Sequence, residues 1–273
     1  MRIVISADME GIAGIVHPDE TNPGRHDYER GRALMTAEVN AVVAGVLDAD
    51  PRADVLVADA HAQFRNILPE ELDRRVRLVR GRPRPMGMLA GLDDRTDLVM
   101  FVGYHARAGA GPAVLAHTMS DAVLAARVNG RPLGEIGFNA AMAGHHAAPV
   151  VLVAGDDAAC AELAELCPDA VRVPVKEALG QAAAVALHPA VARERLRLAA
   201  ADAVRRGPEM TTFRITGPVA LELDLFLPTT VDLALLVPGV ERVTGGRTVS
   251  FAARDLPEAY RVMQLLVALG QIR

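Results

Sequence analysis

Asp8 and Glu10 stand one residue apart near the start of the chain, after the apolar run Ile3-Val4-Ile5 and just before Gly11. Two carboxylates this close repel each other unless a proton or a cation lies between them. On extended backbone residues i and i+2 face the same way, so the pair is expected to project together from the carboxyl end of a strand. That edge is where open α/β sheets carry their sites. Further along, His61 follows the apolar run Val55–Ala58, His105 follows Leu98–Val102, and Glu135 follows an Asn129-Gly130 turn, with His117 nearby. Oxygen and imidazole donors in this mixture suit zinc, and also manganese or cobalt. Five ligands are one too many for a single catalytic zinc that keeps an open position. They fit two metals if Asp8 bridges, with Glu10 and His61 completing one and His105 and Glu135 the other. Such a pair, sharing a water at about 3.5–4 Å separation, performs hydrolysis.

The elements that must position these residues are legible from apolar patterning. Residues 3–5, 55–58 and 98–102 read as strands, the last covered on both faces because it is apolar without interruption. Residues 76–79 read as a short strand. Residues 12–27 read as a long loop over the site. Helical spacing of Tyr28, Leu34, Met35, Val39, Val42, Val43 and Val46 predicts a helix over 28–49, with Asp27 as N-cap and Asp50-Pro51 as its end. Asn129-Gly130 predicts a hairpin with a type I′ turn. A helix over about 134–147, a strand at 150–153 and a helix over about 158–166 capped by Gly155-Asp156-Asp157 follow. A short strand near 170–173 leads to Lys176, and 189–206 reads as an Arg-rich amphipathic helix. Beyond Gly207-Pro208 the pattern predicts strands at Thr212–Thr216, Val219–Phe226 and Val249–Ala252 and a closing helix over Leu256–Leu269. The expected fold is α/β, a mainly parallel sheet with flanking helices (residues 1–207, carrying the site) plus a smaller C-terminal α+β part (208–273).

The 273 residues carry a net charge of −5, which argues against a nucleic-acid partner, and no apolar run reaches the ~18–20 residues of a membrane span. The chain enters its first strand at once with no signal-peptide pattern, so a cytoplasmic protein is expected. Cys160 and Cys167 are expected to be buried thiols rather than ligands or disulfide partners. Walker A, dinucleotide-glycine, His-Glu-x-x-His and Gly-x-Ser-x-Gly patterns are all missing. His145, His146 and His188 read as structural or exposed, and His17 and His26 as loop residues at the mouth of the site. Of 29 Lys plus Arg, only Lys176 is lysine. That is either a coding bias or the mark of a required ammonium, one that touches the carboxylate of a substrate.

The segments Ser6-Ala-Asp-Met-Glu-Gly11, Asp59-Ala-His61, Gly103-Tyr-His-Ala106, His117, Gly134-Glu-Ile-Gly137 and Gly155-Asp-Asp157 resemble, in order and spacing, the motifs of the DppA-type D-aminopeptidases, peptidase family M55. The resemblance runs over essentially the whole chain. It implies a dinuclear zinc aminopeptidase with Asp8, Glu10, His61, His105 and Glu135 as metal ligands and His117 as catalytic histidine. It also implies a homo-oligomer, a ring-shaped decamer enclosing its active sites, and short peptide substrates with an N-terminal D-amino acid such as D-Ala-D-Ala. Selectivity for the D series rests on the resemblance alone. Other two-metal hydrolases, acting on amides or phosphoesters, and a non-catalytic metal-binding α/β module are the alternatives that the residues themselves leave open.

Overall fold

The computed structural model describes residues 1–243 and 245–271. The first half of the chain runs β1 (Arg2–Ala7), α1 (Pro18–Thr21), α2 (Tyr28–Ala49), β2 (Asp54–Asp59), β3 (Arg77–Val79), β4 (Leu98–Tyr104), β5 (Val123–Val128) and β6 (Arg131–Pro132). It continues through α3 (Glu135–His145), β7 (Val150–Asp156), α4 (Asp157–Ala164), β8 (Val171–Gly180), β9 (Ala183–Ala186) and α5 (Pro189–Arg206). The last part is β10 (Val219–Leu225), α6 (Pro228–Ala234), β11 (Val240–Arg242), β12 (Thr248–Ala253) and α7 (Leu256–Leu269).

A seven-stranded sheet in the order β3-β2-β1-β4-β7-β8-β9 forms the centre, parallel throughout except for the antiparallel β8–β9 edge. Alternation along the strands feeds two cores. Ile3 and Ile5 of β1 and Met100 and Val102 of β4 pack with Val39, Val42 and Val46 of α2 and Leu196 and Ala200 of α5. Val4, Val99 and Phe101 share the other cluster with Ile136 and Phe138 of α3 and Tyr260 and Met263 of α7. That second layer also contains a five-stranded antiparallel sheet, β11-β12-β10-β5-β6. The 123–132 hairpin therefore joins the C-terminal strands, with Asn129 and Gly130 at φ 51° and 77° as a type I′ turn requires. Among the described residues no helix is long and apolar enough to cross a membrane.

Several elements differ from the sequence expectation. Residues 12–27 are not a plain loop: Ile12, Ala13 and Ile15 are fully buried, and α1 lies within the segment. Asp27 occupies the N-cap position of α2 without a capping hydrogen bond; its carboxylate faces His26 Nδ1 at 3.1 Å instead. Thr212–Thr216 forms no strand; Thr211 is tied to the Asp169 carboxylate, and the segment pairs with no ladder. The strand expected near 170–173 runs on through Lys176 to Gly180, because β9 folds back to pair with it. The short elements α6 and β11 carry no signal that alternation or helical spacing detects.

Candidate metal centre

In the order of the central sheet the chain runs outward from β1 through β2 to β3, then returns to the opposite side of β1 with β4. The carboxyl ends of β1 and β4 thus flank a topological switch point, where such sheets open a crevice. Asp8 and Glu10 follow β1, His61 follows β2 and His105 follows β4, so three strand ends deliver four side chains to one crevice. Glu135 enters from the first turn of α3, and His117 from the loop between β4 and β5.

Asp8 and Glu10 do not converge as neighbours on extended backbone. The strand stops at Ala7, and the chain turns, with Ile12 N–H donating to Met9 O at 3.1 Å. The turn is docked on the end of β4: Asp8 N–H donates to Val102 O and Gly11 N–H to Gly103 O, each at 2.8 Å. A Cβ on Gly11 would lie 2.0 Å from Tyr104 O, and Gly103 holds φ 70°, so both contacts need glycine.

The three histidines are oriented alike. His61 Nε2 donates to Thr21 O, His105 Nδ1 to Ala106 O and His117 Nδ1 to Leu115 O, each at 2.9 Å. A backbone carbonyl accepts only, so it fixes the N–H on that side and turns the other ring nitrogen inward. His61 Nδ1 stands 3.2 Å from Asp8 Oδ1 and 3.0 Å from Glu10 Oε2. His105 Nε2 stands 3.5 Å from Asp8 Oδ2 and 3.4 Å from Glu135 Oε1, and His117 Nε2 is 3.6 Å from the same Glu135 oxygen. The rings of His105 and His117 stack at 4.1 Å. His117 alone of the three has a partly exposed side chain, at 24%.

Burial sets the electrostatics. Burial and the charge of Glu10 push the Asp8 carboxyl up. Burial also opposes ionisation of Glu10 and Glu135, but the imidazoles around them outweigh it and hold both below the usual carboxylate range. Burial disfavours charge on His61 and His105 as well, yet Glu10 and Glu135 respectively lead the carboxylates that hold them well above the usual imidazole range. Such a cluster attracts positive charge strongly.

A metal fits this set. Glu10 Oε2 and His105 Nε2 are buried with no hydrogen-bond partner among the described residues. The ligand atoms of Asp8, Glu10 and His105 lie within 4.8 Å of one another, and so do those of His105, His117 and Glu135. Oxygen and imidazole donors without thiolate match zinc chemistry. Cys160 and Cys167 are free thiols buried in the apolar cluster.

Residues outside the expected ligand set hold the site in place. Asp59, the last residue of β2, accepts from Asn66 and Ile67 N–H, and Asn66 in turn donates to His61 O and accepts from Tyr28 Oη. Asp156 accepts from Val114 N–H at 2.7 Å, steadying the loop that carries His117. The Met119 N–H donates to Glu135 Oε1 at 2.6 Å. Beneath the turn after β1, Lys176 Nζ donates to the carbonyls of Glu10, Ile12 and Ile15, while Glu38 accepts from Ala13 N–H. All three ammonium protons have backbone acceptors and the side chain is buried, so Lys176 has no donor to offer a substrate carboxylate.

A cavity of about 580 Å³ opens over Asp8, Glu10, His61, His117 and Glu135, walled on the far side by Tyr260, Gln264 and Leu265 of α7. His17 and His26 do not line it. His17 caps α1, His188 caps α5 and His146 faces Asp94 at 2.7 Å.

Residues 1–265 match the model of a protein family, peptidase M55, D-aminopeptidase. The chain is 37% identical over 272 residues to the D-aminopeptidase of Bacillus subtilis (strain 168), covering 99% of this chain and 98% of that one. Among solved structures it resembles the zinc-dependent D-aminopeptidase DppA from Bacillus subtilis, described as a self-compartmentalizing protease. The TM-score is 0.96 at 35% identity, over 100% of this chain and 99% of the other.

Proposed function

The chain belongs to the M55 family of D-aminopeptidases, and from that premise we propose that it is a zinc enzyme removing N-terminal D-amino acids from short peptides such as D-Ala-D-Ala, with two metal ions per chain. One observation carries the two-metal reading. The two oxygens of Asp8 address two different imidazoles, Oδ1 toward His61 and Oδ2 toward His105. One carboxylate thus serves two sides, with Glu10 and His61 completing the first set and His105 and Glu135 the second. Bound zinc supplies a water acidified toward neutrality and polarises the scissile carbonyl.

The chain's own residues do the rest. The carbonyls of Thr21 and Ala106 hold His61 and His105 in the tautomers that expose the inward nitrogen. His117 reaches the cavity with Nδ1 committed to Leu115 O, so its Nε2 is the atom able to hold a proton for the departing amine. The free α-amine of the substrate would go to a metal held at this end of the cavity, which favours an exopeptidase. The self-compartmentalizing character of the DppA relative supports a homo-oligomer here, a ring of ten subunits in this reading.

The test is release of free amino acid from paired D- and L-aminoacyl p-nitroanilides and alanyl dipeptides, with chelator and with added zinc, alongside elemental analysis. Zinc-dependent cleavage of the D series with two zinc ions per chain is expected. Cleavage of the L series discards the substrate assignment, and activity surviving exhaustive chelation discards the metal mechanism.

A further inference from the structure

We propose that Arg82 is the receptor for the C-terminal carboxylate of the peptide substrate, so that this cavity selects short free-acid peptides over blocked ones. The inference rests on the aminopeptidase reading and adds the far end of the substrate to it.

Among the described residues lining the cavity, Arg82 and Arg84 are the only lysines or arginines. Both guanidiniums lie against the ring of Phe64, at 5.6 and 4.2 Å from its centre. They differ in what they have left to donate. Arg84 is half-buried and gives Nε to Gly87 O, Nη1 to Val79 O and Nη2 to Asp59 O, at 2.9, 3.2 and 2.6 Å. Each of its three nitrogens is engaged in holding the wall. Arg82 is exposed and makes one hydrogen bond among the described residues, Nη1 to Ala62 O at 3.1 Å. Its Nε and Nη2 stay available. The bond to Ala62 also places it, because Ala62 directly follows His61 of the metal cluster.

The cavity therefore has two unlike ends. Asp8, Glu10 and Glu135 are at its floor and an uncommitted guanidinium is on its wall. A free-acid peptide matches these two ends, its amine at the carboxylates and imidazoles that would hold the metal and its carboxylate at the guanidinium. A guanidinium fork binds a carboxylate through two parallel hydrogen bonds. Extended peptide spans about 3.3–3.6 Å per residue. A carboxylate at Arg82 with the amine at the metal-holding end belongs to a short peptide, because the Ala62 carbonyl that holds Arg82 directly follows His61. The same geometry disfavours long chains, whose carboxylate lies elsewhere.

The experiment compares zinc-loaded wild type, Arg82→Met and Arg82→Lys on D-alanyl-D-alanine and its C-terminal amide, which share the scissile bond and differ only in the carboxylate. The wild type is expected to favour the acid. In Arg82→Met the acid-to-amide ratio of kcat/KM should fall about 10- to 100-fold, mainly through KM for the acid, with partial recovery in Arg82→Lys. A ratio unchanged in both variants overturns the assignment of Arg82 while leaving the aminopeptidase standing. Zinc-loaded wild type that cleaves neither substrate overturns the aminopeptidase reading and this inference with it.

Discussion

Lys176→Met tests whether the turn bearing Asp8 and Glu10 is held from below. The Lys176 ammonium donates to Glu10 O at 2.5 Å, Ile12 O at 3.0 Å and Ile15 O at 2.5 Å, and the residue is 3% exposed. Methionine keeps an unbranched apolar stem and removes every donor. Three buried carbonyls then lose their partner, at roughly 1–3 kcal/mol each, or about 6 kcal/mol in the middle of that range. Against this stands relief from burying a cation. Burial pushes the Lys176 pKa from 10.5 down to about 8, even with Asp156 and Glu38 opposing it. At 1.36 kcal/mol per unit the relief is on the order of 3 kcal/mol. The net expectation is a loss of about 3 kcal/mol near neutral pH. The sign of the pH dependence follows from the depressed pKa. The unfolded chain binds the extra proton between about 8 and 10.5, so the wild type gains stability as pH rises through that window and the variant does not. Urea denaturation of chelated wild type and variant at pH 7.5 and 10 reads both effects, and zinc retained after dialysis reads the site. The variant should be less stable, fall further behind at pH 10 and need more free zinc to fill. Equal midpoints and equal zinc retention would refute the clamp.

Two further perturbations probe the same region. Burial pushes the Glu38 carboxyl from 4.5 up to about 7, so the folded chain keeps a proton that the unfolded chain releases between those values. Wild-type stability from this group falls as pH rises through that window, by on the order of 3 kcal/mol. Glu38→Gln, which keeps an acceptor for Ala13 N–H, should gain that much on the wild type between pH 4.5 and 8; parallel stability curves would rule this out. His105→Ala removes the imidazole shared between Asp8 and Glu135. It should lower zinc from two ions per chain to one and cut turnover at least 100-fold; two ions by elemental analysis and a normal rate would remove His105 from the ligand set.

How much of this was legible in the sequence depends on the range of the forces involved. Strands β1, β2 and β4 announce themselves because both faces are buried, which leaves unbroken apolar runs, and a polar residue just past each run marks the crevice. The bounds of α2 and α7 follow from helical spacing that a single chain segment contains. What stayed hidden is held by partners far apart in sequence. Asp8 and Glu10 were expected to align by strand alternation, yet they meet because Gly11 lies against Gly103 and Tyr104, some ninety residues away. The hairpin at Asn129-Gly130 was readable, but its sheet partner, Val219–Leu225, was not. Lys176 shows the same division: its rarity allowed either a coding bias or a required ammonium, and only the fold shows that its acceptors are the carbonyls of the turn bearing Asp8 and Glu10.

Chemistry restricts the residues that can touch a metal to a few types, so candidates stand out by type and position. Holding them in place asks only for a donor, an acceptor or a missing side chain, which Asp59, Asn66, Asp156 and Gly11 provide with ordinary residues. A substitution at Asn66 or Gly11 is therefore expected to disturb zinc binding about as surely as one at a neighbouring proposed ligand, although neither offers the metal an atom. The difference is diagnostic: loss of a ligand persists at saturating zinc, whereas a displaced ligand is recovered when excess zinc draws the turn back.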